Sequence, residues 1–96
     1  MESALEAILD KLASPDDVQG VLIADEHGLC LGARGVAKPA SAGSVASIAL
    51  HARDLTSSPR DDDKFQYPTV CVETTNSTII IRNEGAYTLA IFKEGQ

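Results

Sequence analysis

The residues of this chain best suited to chemistry are two cysteines, two histidines, one arginine beside a turn and a spaced set of glycines. Cys30 and Cys71 each sit mid-strand among apolar neighbours. A reactive thiol needs a helix N-terminus, a cation or a base to lower its pKa, so both read as small apolar core fillers. His27 and His51 have no Cys or second His at ligand spacing, which leaves no metal site. Asp54, three residues after His51, offers only a weak helical pair. Gly28-x-x-x-Gly32-x-x-Gly35 follows a strand but runs into a returning strand. A phosphate cradle needs a strand, a glycine turn and then a helix, so no nucleotide fingerprint is present. The run Arg60-Asp61-Asp62-Asp63-Lys64 lacks the spaced oxygens and Gly turn of a calcium loop. It reads as part of a charged, flexible loop over 57–68. Arg34 is the one side chain that could act on phosphate charge, and its plainer role is a sheet-edge cation. No nucleophile elbow and no carboxylate pair in an apolar setting is visible. The expectation is a protein that is not an enzyme, with no catalytic, cofactor or metal residue.

Composition narrows the partners. A net charge of −6 repels phosphate backbones and anionic lipid, arguing against nucleic acid and membrane surfaces. Two Tyr, two Phe and no Trp make a poor base-stacking platform. No apolar run reaches the ~18 residues of a membrane span. Met1-Glu2-Ser3 lacks a signal peptide's basic start, and neither end carries a lipidation motif. Two cysteines are too few for a disulfide framework, which suggests a reducing, cytosolic setting. Ninety-six residues suit a single domain over 1–96.

The elements follow from periodicity. Leu5, Ile8, Leu9 and Leu12 form one helical stripe, with Ser3 and Glu6 at capping-box spacing, ended by Ser14-Pro15. Val18–Asp25 and Leu29–Ala33 read as a hairpin around Glu26-His27-Gly28, with Val18, Leu22 and Ala24 on one face and Val21 and Ile23 on the other. A strand apolar on both faces must be covered on both sides. After a connection from Arg34 to Pro39, a second helix spans 41–55, its core stripe being Val45, Ile48, Ala49, Ala52 and Leu55. Gly43, Ser47, Leu50 and Asp54 lie opposite, with Ala46 at the border. Strands over 69–75, 78–82 and 86–93 complete an α+β order of α-β-β-α-β-β-β, with Asn and Gly supplying positive φ at the turns. Two features are suited to protein contact: the Leu50 face and, if it lies at a sheet edge, the strand 69–75.

Gly20-Val21-Leu22, Asp25, Gly28-Leu29-x-Leu31-Gly32, Arg34-Gly35 and Ala42-Gly43 resemble the signature of the roadblock/dynein-light-chain superfamily. Leu55-Thr56-Ser57-x-Pro59, Val70-Cys71-x-Glu73 and the closing Ile-rich strands are similar, in the same order, to its small Ragulator subunits. The resemblance runs to Lys93, departing at the longer, charged loop over 58–67 and around Pro39. It implies a five-stranded antiparallel sheet flanked by helices on both sides, without a third helix. It also implies dimerisation by side-by-side pairing of the third strand and packing of the second helix. Carried onto this chain, the partner residues are Gly43, Ala46, Ser47, Leu50 and Asp54 with Thr69, Val70, Cys71, Val72, Glu73 and Thr74. The implied role is a scaffold subunit paired with another roadblock-type subunit and wrapped by a lipidated one. Such a complex anchors Rag GTPases on the cytosolic face of the lysosome and supports amino-acid-dependent activation of the TOR complex. A homodimer is open to it in isolation. The alternative is a direct regulator of a small GTPase's nucleotide cycle; a small-molecule sensor is a third reading.

Overall fold

The computed structural model describes residues 3–56 and 68–95. The elements are α1 (Ala4–Ala13), β1 (Val18–Asp25), β2 (Cys30–Gly35), a 3-10 turn at Pro39–Ser41, α2 (Ala42–Thr56), β3 (Thr69–Glu73), β4 (Ser77–Glu84) and β5 (Tyr87–Glu94). The charged loop expected over 57–68 lies, but for Pro68, outside the described residues.

α1 starts where the Ser3 side chain accepts a hydrogen bond from the Glu6 amide at 3.1 Å. It stops at Ser14, whose hydroxyl donates to the Lys11 carbonyl at 2.9 Å. Both bonds satisfy backbone groups that a helix end leaves unpaired. Pro39 opens the 3-10 turn that leads into α2, a position where its missing N–H costs nothing.

Every pairing in the sheet is antiparallel, and the order is β2-β1-β5-β4-β3. β1 is buried on both faces because each carries a helix. Leu22 and Ala24 meet Ala42, Val45 and Ala49 of α2, with Ile81 and Ala90 beneath. Val21 and Ile23 meet Leu9 of α1. The expected architecture therefore holds.

Several local expectations are corrected. Val18 packs with Val21 and Ile23, not with Leu22. Gln19 has no partner where β1 steps from Val18 to Gly20 against Lys93 and Phe92, and that bulge turns Val18 over. β2 continues through Arg34 and Gly35. Gly35, at φ +64°, closes against the Gln19 carbonyl, an approach that a side chain would block. The strand over 69–75 ends at Glu73, because Thr74 folds into the turn, its hydroxyl accepting from the Asn76 and Ser77 amides. No described non-glycine residue has positive φ, so the asparagines do not provide it. Asn83 instead donates its amide to the Tyr87 carbonyl at 3.0 Å and to buried Thr88 at 3.1 Å, tying β4 to β5.

On α2 the buried residues are Ala42, Val45 and Ala49, while Ile48 is 38% and Leu55 87% exposed. The true stripe is turned toward Ala46, whose small side chain packs on the same cluster. α1 differs in the same way: Leu9 is buried, but Ile8 is half exposed over a groove between α1 and β5.

Candidate partner interface

β3 is the outer strand at one end of the sheet among the described residues. Five consecutive residues, Thr69 to Glu73, pair with Arg82 to Thr78 without interruption. Exposure alternates along the strand, with Thr69, Cys71 and Glu73 open and Val70 and Val72 half buried. The two valines pack with Ile79, Ile81 and Ala46 under α2. An incoming strand would therefore meet mainly the backbone edge and the exposed side chains. A free strand edge carries unpaired N–H and C=O groups, which another strand satisfies.

The opposite edge is built differently. Between Ile23 and Ala24 of β1, strand β2 steps from Gly32 to Cys30, leaving Leu31 as an extra, unmatched residue. This bulge interrupts the ladder, and bulges of this kind discourage edge-to-edge pairing. Of the two edges, only β3 presents a regular one.

Beside β3, α2 exposes Gly43, Ser47, Leu50 and Asp54, and Leu50 is 54% exposed. Gly43, Ser47 and Leu50 border a cavity of about 300 Å³ closed below by Gly28, Asn83 and Thr88. His51 turns to Ser47, with Nδ1 and Oγ 3.5 Å apart, rather than to Asp54. Ile48 and Leu55 add two more large apolar side chains to the exposed surface of α2, and sequence reasoning missed both. The signal was available. Four alanines in α2, two of them at the i and i+4 positions 42 and 46, permit close approach to the sheet only on their own side.

The remaining candidates separate cleanly. Cys30 is half buried against the α2 cluster, as a filler should be. Cys71 is exposed, contrary to expectation. Its pairing partners in the same row are Ile80, Ile91 and Val21, on the face that α1 occupies. α1 packs chiefly on β1 and β2, at the far side of the sheet from β3, so the row is covered at Val21 and open at Cys71. Arg34 is engaged within the fold, its Nε donating to Asp10 of α1 at 2.8 Å and a terminal nitrogen to the Ala33 carbonyl at 3.0 Å. That weighs against a free phosphate-directed arginine. Asp25 caps its own hairpin: Oδ1 accepts from the His27 amide at 2.8 Å and the Leu29 amide at 2.9 Å. The Leu29 N–H above all, with that of His27, holds the carboxyl below its ordinary range. Among the described residues no group of three or more His, Cys, Asp or Glu could hold a metal, and no helix is long and apolar enough to cross a membrane.

Residues 1–93 match the family model described as Ragulator complex protein LAMTOR5. The chain belongs to the LAMTOR5 family. The LAMTOR5 homolog of Nematostella vectensis is 37% identical over 93 residues, covering 97% of each chain. The LAMTOR5 protein of Xenopus laevis is 34% identical with the same coverage. The solved structures share the fold at lower identity. Myxococcus xanthus MglB superposes with a TM-score of 0.75 at 14% identity, over 98% of this chain and 75% of its own. The Roadblock/LC7 domain from Streptomyces avermitilis gives 0.64 at 19%, over 96% and 79%. The fold is thus a roadblock fold, and LAMTOR5 proteins belong to a non-catalytic scaffold family.

Proposed function

We propose that this chain is a scaffold subunit of a Ragulator-type complex, the counterpart of the subunit also called hepatitis B virus X-interacting protein. It acts by heterodimerising with another roadblock-type subunit. The seam joins the β3 edge, Thr69 to Thr74, to the α2 flank of Gly43, Ala46, Ser47, Leu50 and Asp54. One observation carries this reading: the regular sheet edge belongs to β3, while the β2 edge is interrupted by a bulge. Strand pairing supplies direction and register, and burial of Leu50 supplies apolar area, about 1,600 Å² in total being usual for a specific pair.

In the assembled state, a lipidated subunit wraps the paired chains and holds them to the cytosolic face of the lysosome. The complex anchors Rag GTPases there and supports amino-acid-dependent activation of the TOR complex. LAMTOR5 family membership supports this role.

The test is Leu50→Asp, co-expressed with a roadblock-type Ragulator subunit. Leu50 is 54% exposed, so the isolated fold should shift by no more than about 0.5 kcal/mol. Recovery of the pair by affinity pull-down should fall at least about tenfold, since a charge buried without a partner costs several kcal/mol. Undiminished recovery would remove α2 from the seam.

A further inference from the structure

The cavity bordered by α2 holds an unused acceptor. Asn83 of β4 lines it, and both N–H groups of its side-chain amide are engaged, one with the Tyr87 carbonyl at 3.0 Å and one with the Thr88 hydroxyl at 3.1 Å. Turning the amide over would set its oxygen against the Tyr87 carbonyl, so these bonds fix which end is which. The other end, Oδ1, is buried and receives no hydrogen bond, the one such side-chain atom among the described residues. A buried acceptor left unpaired is unfavourable, and native structures pair such groups with water or a ligand. Beside it, Thr88 is buried, and its hydroxyl accepts from Asn83 while keeping its own proton to donate. The cavity floor thus offers an acceptor and a donor as neighbours.

Gly43, on the α2 wall, carries a second and independent signal. Its φ is not positive, and a Cβ placed there would meet no atom within 4 Å. Neither backbone conformation nor packing inside the chain calls for glycine, which weakens a helix relative to alanine. What the missing side chain does is keep the wall open to something outside the chain. Ala46 and Leu50 make that wall apolar, and the margin carries Glu26 and Arg53, charges of opposite sign. At about 300 Å³ the cavity lies at the lower end of the volumes that hold small ligands.

We propose that this cavity binds a small uncharged molecule bearing a carboxamide. One amide N–H donates to Asn83 Oδ1, the amide oxygen accepts from the Thr88 hydroxyl, and the apolar body lies on Ala46 and Leu50. An oxyanion is refused by the acceptor at the floor, and the mixed margin favours neither sign of charge. The site goes beyond the scaffold role. The seam given above draws on the same wall of α2, so binding belongs to the unpaired chain and is measured there.

The probe is benzamide, added to the nitrogen-labelled full chain and followed by two-dimensional amide NMR. Saturable shifts should centre on the Asn83 side-chain amide and the backbone amides of Gly43, Ser47 and Thr88, with a dissociation constant on the order of 1 mM. Acetophenone has the same size and a carbonyl but no N–H, and should bind at least about tenfold more weakly because Oδ1 stays unpaired. Gly43→Leu narrows the cavity and should abolish the shifts, while its melting temperature stays at or above that of the wild type. No saturation by about 10 mM benzamide would overturn the site. Equal binding of acetophenone would overturn the role given to Asn83, and unchanged binding by Gly43→Leu would overturn the location. Because the probe is read on the unpaired chain, none of these failures touches the heterodimer, which the Leu50→Asp pull-down tests by itself.

Discussion

Asp25 shows how much of the β1–β2 hairpin depends on one oxygen. Its Oδ1 accepts both the His27 and the Leu29 amide, closing a turn that otherwise has only the backbone bonds at Asp25 and Gly28. These donors favour the ionised carboxylate and lower its pKa from the ordinary 3.8. A depressed folded-state pKa makes a contribution that is present above the unfolded value and lost as pH falls through the folded one. Asp25→Asn keeps an acceptor oxygen but no titration, so its melting temperature should lie below the wild type's at neutral pH. The gap should narrow as the pH falls below the ordinary carboxylate range. Asp25→Ala should melt lower still. A gap between wild type and the asparagine variant that is constant across pH would show that the charge does not matter. Cys71 marks the limit of single-residue reading. Its neighbours in sequence are those of a core thiol, yet its exposure depends on where α1 stops, which local pattern does not contain.

At the scale of elements, α1 is attached to the sheet chiefly by one fully buried side chain, Leu9, with Leu5 and Leu12 beside it. The Arg34–Asp10 pair that also joins α1 to β2 is a third to a half exposed, and pairs of that kind contribute at most about 1 kcal/mol. Leu9→Ala should therefore cost about 2–5 kcal/mol, read as a lower urea midpoint together with faster amide exchange in α1. Arg34→Ala should cost less than about 1 kcal/mol on the same scale. If the order of these two costs were reversed, α1 would be held by charge and not by packing. Element existence and order were legible because periods of two and of about 3.6 residues separate strand from helix without tertiary information. Helix rotation was not. Ile48 and Leu55 fit the α2 stripe by hydrophobicity, but Ala42 and Ala46 decide which side lies close to the sheet, and that is a question of volume. Strand faces failed only at Val18, where an unpaired Gln19 reverses the alternation.

For the molecule as a whole, the two sheet edges divide the labour: β3 is regular, and β2 carries the unmatched Leu31. If both edges were regular, pairing would have no reason to stop at two chains, and an open row of sheets would follow. Deleting Leu31 should restore an uninterrupted β2 ladder and yield species larger than a dimer in sedimentation velocity, at concentrations where the wild type forms none. An unchanged sedimentation profile would show that β2 is blocked by something other than its bulge. The edge position of β3 was foreseeable only as a condition, because neighbour order in a sheet is set by how the connections cross. The contact candidates on α2 were readable because Leu50 stands among small and polar residues.

The row from Val21 to Cys71 has one more consequence. It is shielded at one end and bare at the other, so a newly made copy enters the cell with Ile80, Ile91 and Cys71 incompletely covered. Sticky surface of that sort is what chaperones and proteolytic surveillance detect. The abundance of this chain should then follow the supply of its companions more closely than its own rate of synthesis.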